Sequence, residues 1–383
     1  MKPKVFFVVT VESTIHSFLI SHLISLSSRY EVTLIVNTNN PFFLKKYGLK
    51  IKVIPINIYR KINLFSDILC LITLIKIFHK AQPNVVHSIT PKAGLLGMLA
   101  AYLVCVPLRF HTFTGQVWAN KKGLSRLTLK IIDFSIAKLS TFNIVDSPSQ
   151  KKFLIQNNIL NKKKSIVFGS GSVSGVDLDR FMPNRKTFFK IRSALSIPFD
   201  AFIFVFIGRL NRDKGVLDLA KAFEKLKDKN AYLLVVGPDE GNFTDQIRVI
   251  NKNKLNQIRF VSYTKKPELY LAASNILCLP SYREGFGNVI IEAAASQVPA
   301  IASNIYGISD AILNHQTGIL HPVKDVNAIV KAMQYFLNKP DMAIKFGKIA
   351  RKRAITKFDS QKITAFWIKF YSQILKNAQQ DNI

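Results

Sequence analysis

Cysteine is scarce in this 383-residue sequence, and acidic residues are far outnumbered by basic ones. The three cysteines, Cys70, Cys105 and Cys278, form no C-x-x-C pair and lie beside no His-x-x-x-His, which excludes a disulfide framework and a zinc finger. Each stands in an apolar run, so all three are expected to be buried, reduced thiols of a cytosolic protein. Low-complexity tracts are missing, and a chain 48% hydrophobic and 20% charged has the composition of a folded protein. Apolar runs of the roughly 20 residues that span a bilayer are missing too. The run at 68–75 is short, and the run at 93–108 contains Pro107. The apolar stretch after "MKPK" stops at Glu12, which predicts a first buried strand rather than a signal peptide.

Positive charge is abundant, with 54 Lys and Arg against 23 Asp and Glu for a net +31. Residues 1–190 carry 27 of the cations and only 7 of the acids. Patches such as "NKKKS", "NRKTFFKIR" and "ANKKG" suit nucleic acid, an anionic membrane face or phosphorylated substrates. Composition leaves these three open.

The length predicts two domains, which would leave a cleft between them. Strand-like runs "KVFFVVTV", "EVTLIVNT", "LKIKVIPI", "PNVVHSIT", "PLRFHTFTG" and "TFNIVDSPS" alternate with helical patterns in the first half. "AFIFVFIGRL", "AYLLVVGP", "IRFVSY", "NILCLPS" and "PAIAS" do so in the second. Such alternation predicts α/β architecture with parallel sheets covered on both faces, as two Rossmann-type units in tandem. The expected domains are 1–180 and 195–365, with 175–200 as linker and a helix at 366–383 packing back on the first domain. Ligands of open parallel sheets sit beyond the carboxyl ends of the strands, so the residues just after strands carry the argument.

"FIGRLNRDKG" places Arg209 and Lys214 in a strand-to-helix turn, where a helix start already favours anions. A planar fork and a point charge together suit a diphosphate. "SYREGFGNVIIEAAAS" sets Glu284 and Glu292 around a Gly-Phe-Gly turn and a helix beginning at Asn288. Ionised carboxylates only accept hydrogen bonds, and glycines let backbone N–H groups approach a ligand. The pattern fits a polyhydroxylated ligand carrying phosphate, such as a sugar nucleotide. "GSGSVSGVDLDRF" misses the spacing of a dinucleotide fingerprint, and Asp177 with Asp179 reads as a turn rather than a metal site.

Taken together these motifs resemble the family 4 retaining glycosyltransferases of the GT-B fold, two Rossmann-like domains facing across a cleft. "EGFGNVIIE" is similar to their E-x7-E motif, "GRLNRDKG" to their phosphate-binding loop and "GVDLDRF" to their interdomain segment. "HSITPKAG", "HTFTGQVWANKKG" and "DSPSQ" further resemble members that build capsule, O-antigen and lipid-linked glycans of bacteria. The resemblance implies that Arg209 and Lys214 hold the diphosphate, Glu292 the ribose diol and Glu284 the hydroxyls of the donated sugar. It implies contacts to the phosphate and sugar from the backbone of Gly285, Phe286, Gly287 and Asn288, with Val289 beside them, and a catalytic role near the donor sugar for His111 at a strand end. On the acceptor side, Thr10, Ser13 and Thr14 stand where many relatives carry a glycine-rich turn, with Thr114 and Gly115 nearby.

The implied activity is transfer of a hexose or N-acetylhexosamine, from a donor that is UDP-linked by family preference, to a lipid-linked saccharide with retention at the anomeric carbon. No metal and no cofactor are expected, because the Arg-Lys pair would neutralise the departing diphosphate. The excess of cations in the first half, beside apolar helices, predicts peripheral association with the anionic inner face of the cytoplasmic membrane. Two alternatives share some of these features: a sugar-nucleotide epimerase of the same architecture, and a nucleic-acid-binding protein, which leaves the glutamate pair unexplained and shows no helix-turn-helix or aromatic RNA-binding pattern.

Overall fold

A computed structural model describes residues 2–59 and 63–380. The chain divides into two units, Met1–Ser174 with Ser360–Ile383 and Gly175–Asp359.

The first unit runs β1 (Lys4–Val11), α1 (Glu12–Phe18), α2 (Ile20–Arg29), β2 (Glu31–Asn37), β3 (Lys52–Pro55), α3 (Leu64–Ala81), β4 (Val85–Ile89) and α4 (Pro91–Leu103). It continues with β5 (Leu108–Phe113), α5 (Gly123–Leu139), β6 (Phe142–Val145), α6 (Pro148–Gln156) and β7 (Ser165–Ile166). The strands form one sheet in the order β3-β2-β1-β4-β5-β6-β7. Val5–Val9 of β1 lie between parallel Val32–Val36 and Val85–Ile89, so this strongly apolar strand takes an interior position, where both faces are covered. One face packs on α3, α4 and α5 through Leu74, Phe78, Met98 and Ile136. The other packs on α1 and α2 through Ile15, Leu23 and Leu26.

The second unit runs α7 (Arg185–Ala194), β8 (Phe202–Ile207), α8 (Val216–Lys225), β9 (Ala231–Val236), α9 (Phe243–Ile250), β10 (Ile258–Val261), α10 (Pro267–Ala272) and β11 (Ile276–Leu279). Then follow α11 (Asn288–Ala295), β12 (Ala300–Ser303), α12 (Ile308–Ala311), β13 (Gly318–His321), α13 (Val326–Asn338) and α14 (Pro340–Lys357). Its parallel strands take the order β10-β9-β8-β11-β12-β13. From β8 the chain moves outward to β9 and β10, then returns to β11 on the other flank of β8. Connections therefore leave β8 and β11 in opposite directions, which opens a crevice at their carboxyl ends.

Two expectations need correction. Residues 175–200 are no linker: Val176, Phe181 and Ile197 lie in the core of the second unit. The buried Arg192 of α7 donates to the carbonyls of Ala201 at 2.6 Å and Ala273 at 3.0 Å, a use of a charged residue that composition cannot reveal. Cys105, in the turn after α4, is exposed, whereas Cys70 and Cys278 are buried.

The chain re-enters the first unit as α15 (Ser360–Gln380), which starts before the expected 366; residues 381–383 of the expected helix lie outside the described residues. Its Trp367 stacks on the rings of His22 (4.5 Å) and His87 (5.0 Å). His22 bonds Thr364 Oγ1 at 2.9 Å and His87 bonds the Tyr371 hydroxyl at 2.6 Å. Burial holds both imidazoles neutral, pushing His22 down to about 4 and His87 well below its ordinary value. Trp367→Ala is expected to cost about 3–5 kcal/mol, read from denaturant unfolding of the first unit. The histidines gain protons on unfolding, so their stabilisation is present above about 6.5 and is lost as pH falls toward 4; unfolding midpoints measured across that range should fall accordingly.

Candidate functional site

The loops after β8 and β11 are fastened together. Asn211 caps the turn Arg212–Lys214 by accepting the Lys214 N–H at 3.2 Å. Tyr282 N–H donates to the Asp213 carbonyl at 2.7 Å, and the Arg283 guanidinium pairs with the Asp213 carboxylate at 2.8 Å. The Tyr282 hydroxyl donates to Asp218 of α8 at 2.7 Å. Burial, then that bond, raises the Tyr282 phenol above its ordinary value, so it stays a neutral donor. Gly215 adopts a left-handed φ of 65°, and a Cβ there would run into the Pro280 carbonyl. Glycine alone allows the two loops this approach.

Inside the fastening, the Lys214 ammonium pairs with the Glu284 carboxylate, which also accepts the Ser281 hydroxyl at 2.9 Å. Both side chains are mostly buried, so a cation and an acceptor are held at fixed positions in the crevice between β8 and β11. The structure thus brings together one cation and one glutamate that lie 70 residues apart in sequence.

The other two expected members lie with different partners. Arg209 pairs with Glu240 after β9 at 3.1 Å, and Asn211 donates to the same carboxylate at 2.8 Å. Glu292, at the start of the second turn of α11, is half-buried. Its carboxyl is pushed up to about 7 by burial, with Arg180 lowering it and Glu268 raising it. Arg180 in turn pairs with Glu268 at 2.7 Å and donates to the Lys265 carbonyl at 2.7 Å. The Arg180–Glu268 pair was not singled out in the sequence, nor were Asp213, Asp218, Tyr282 and Glu240. No local signal joins residues that only the sheet order makes neighbours.

The turn before α11 is expected to act through its backbone. The Phe286 side chain is in the core, edge-on to Phe358 at 5.3 Å, so it anchors the loop and leaves contact to the backbone. Gly287 takes a left-handed φ of 79° as the residue before α11. Gly285 is buried, Asn288 is half-buried, and Val289 packs partly against the core. Asp177 accepts the N–H groups of Asp179 and Arg180, both at 3.1 Å, as a turn does.

In the first unit, the expected residues gather at the carboxyl edge of the sheet, with differences. His111 lies inside β5 rather than at its end, 1% exposed, bonded to Ser88 Oγ at 2.8 Å and edge-on to Phe113. Burial pushes its imidazole down to about 3, so it is a neutral, packed ring. Gly94 of α4 lies so close that a Cβ would meet that ring. No loop separates β1 from α1. Thr10 belongs to the strand and bonds the Thr90 hydroxyl at 2.5 Å, Thr14 is buried, and Ser13 is exposed. Thr114 and Gly115 follow β5, where the Thr114 carbonyl accepts from Gln150 at 2.7 Å.

Comparison with known proteins agrees with this architecture. A family model described as glycosyl transferases group 1 matches residues 187–353, and one described as glycosyl transferase 4-like matches residues 4–145. The chain is 33% identical over 341 residues to a capsular polysaccharide biosynthesis glycosyltransferase, CapM, of Staphylococcus aureus, covering 88% of each. It is 24% identical to the N,N'-diacetylbacillosaminyl-diphospho-undecaprenol alpha-1,3-N-acetylgalactosaminyltransferase of Campylobacter jejuni, covering 95% of this chain and 97% of that one. Among solved structures, Anabaena HepE in complex with UDP and glucose superposes with a TM-score of 0.82 at 15% identity, over 97% of this chain and 100% of that one. The fold is that of the GT-B proteins.

The environment of Glu292 generates a test. A carboxyl raised from 4.5 to about 7 gives stability that is fully present below 4.5, declines as pH rises and is gone above about 7. Carbon-detected NMR should find one glutamate titrating near neutrality. Glu292→Gln should remove that titration and flatten the pH dependence, while Arg180→Met should move the titration further upward. A Glu292 carboxyl titrating near 4.5 would contradict this environment.

Proposed function

Because this chain belongs to the family of group 1 glycosyl transferases, we propose that it moves a sugar from a UDP-linked donor, held by the second unit, to a lipid-diphosphate-linked saccharide. The observation that carries the reading is the Lys214–Glu284 pair, fixed by Asp213, Asp218 and Tyr282 at the β8/β11 switch point. Relatives support the choice of substrates. One is named as a UDP-Gal galactosyltransferase acting on GlcNAc-diphosphoundecaprenol in Escherichia coli, and the Campylobacter relative's name carries an undecaprenol diphosphate. The pathway is then assembly of a surface polysaccharide, with the acceptor on the first unit near Ser13, Thr114 and Gly115.

In the proposed step, the bond between the anomeric carbon and the diphosphate oxygen breaks. A bond to the acceptor hydroxyl oxygen forms on the same face, with retention, and the hydroxyl proton leaves with the nucleotide phosphate. Lys214 meets the charge that develops on the departing oxygen, a preorganised electrostatic role that operates here without a metal. Arg209 reaches the diphosphate by giving up Glu240. Glu284 orients Lys214 and accepts from a sugar hydroxyl. Glu292 accepts from the ribose diol as a carboxylate, and the backbone of Gly285 to Asn288 lines the phosphate and sugar. His111, neutral and packed, acts through the shape of β5. The epimerase and nucleic-acid alternatives are not favoured by the family.

Thermal unfolding with a panel of UDP- and GDP-sugars should single out a UDP-sugar, because a bound donor stabilises by mass action. With that donor and a lipid-diphosphate disaccharide, Lys214→Ala should lower kcat by about 10²- to 10³-fold with a smaller change in KM. Glu292→Ala should chiefly weaken donor binding, and proton NMR of the product should show the donor's anomeric configuration. Unchanged rates in both variants, or donor conversion without acceptor, would sink the proposal.

A further inference from the structure

The helices α3, α4 and α5 lie side by side on one face of the first sheet, with α4 in the middle. Their inward residues are ordinary core, such as Cys70, Leu74 and Phe78 on α3. Their outward residues are not an ordinary surface. On α3, Leu64 and Phe65 are 76% and 75% exposed, and Ile68, Leu69 and Ile72 extend the same stripe along the side opposite the core. On α5, Leu124 is 82% exposed, and Leu127, Ile131 and Phe134 follow at spacings of three and four residues, which is one face of a helix. The end of α4 adds exposed Tyr102 and Leu103. Two apolar stripes in one layer, on either side of α4, exceed the scattered apolar residues normal for a surface.

Charge on this layer has one sign. Lys76, Lys80, Lys121, Lys122, Arg126 and Lys138 are exposed along and beside the stripes. The three helices hold two acids, and neither offers a free negative charge to the outside. Asp67 pairs with Lys92 at 2.8 Å, and Asp133 is buried, bonded to the Trp118 indole at 2.7 Å. Long lysine and arginine side chains can extend their charges past an apolar stripe to a headgroup plane. No helix among the described residues is long and apolar enough to cross a membrane.

We propose that the α3–α5 face of the first unit is a docking surface for a bilayer containing anionic phospholipids. The apolar stripes enter the headgroup region, and the surrounding cations meet lipid phosphates. A second copy of the chain fits the face less well, because a two-fold interface sets the same patch against itself, here cation against cation. The inference rests on this surface alone and not on the transferase reading, though it would bring the enzyme to a lipid-linked acceptor.

Vesicle co-sedimentation tests it. Wild-type protein should bind vesicles containing about one third phosphatidylglycerol in phosphatidylcholine, bind phosphatidylcholine alone at least about tenfold more weakly, and lose affinity as salt rises. The exposed-surface variants F65S/I68S and L127S/I131S should each lose at least about tenfold in binding, and K76Q/K122Q should reduce it and its salt dependence. Circular dichroism and UDP binding should be unchanged in all three, which separates a failure here from a failure of the donor site. Equal binding by wild type and serine variants would overturn the proposal. So would a wild type that ignores vesicles and runs on gel filtration as a dimer that the serine variants convert to monomer, since that result assigns the face to a second copy.

Discussion

The second unit depends on one constraint: two loops that leave neighbouring parallel strands in opposite directions must be held against each other. Sheet order β9-β8-β11 makes the loops neighbours, and Gly215 lets them touch where any side chain would strike the Pro280 carbonyl. The bonds from Asp213 and Asp218 to Arg283 and Tyr282 then fix the approach. Only within that frame can Lys214 and Glu284 share one small volume. A lone lysine on a loop is solvated and mobile, and an exposed ion pair contributes little. Sheltered and cross-braced, the pair becomes a positioned cation beside a positioned acceptor, which is what a departing diphosphate on a sugar requires.

The first unit repeats the sheet logic with another emphasis. The edge between its β1 and β4 is bridged by the Thr10–Thr90 bond. Its distinctive chemistry lies on the α3–α5 layer and on the opposite face, where α15 returns. Trp367 stacks on two neutral histidines, which ties α15 to α2 and β4. A polar ring pair buried this deeply is tolerated because each histidine nitrogen has a partner: Thr364 and the Val173 carbonyl for His22, Tyr371 and Thr112 for His87.

Much of this was readable beforehand. Apolar runs such as "KVFFVVTV" and "AYLLVVGP" can only be covered strands, and their alternation with helical patterns imposes parallel sheets. Position after strands pointed to Lys214 and Glu284 for the same reason. What escaped was whatever depends on side-chain direction or on distant neighbours. Arg209 shares a loop with Lys214 but pairs with Glu240, and Glu292 lies one turn inside α11, where Arg180 and Glu268 act on its charge. His111 lies two residues inside the end of β5, where burial turns the ring into packing. Residues 175–200 look polar and proline-bearing, yet Phe181, Ile197 and the buried Arg192 anchor them. Exposure of α3's leucines and isoleucines was equally hidden, because an apolar helix in sequence reads as a buried one.

The most direct test is an experimental structure of the full chain soaked or co-crystallised with UDP. The account predicts one nucleotide at the carboxyl ends of β8 and β11, with its terminal phosphate within hydrogen-bonding distance of Lys214 Nζ and its ribose at Glu292. A nucleotide bound elsewhere, with the Lys214–Glu284 pair left untouched, would contradict it.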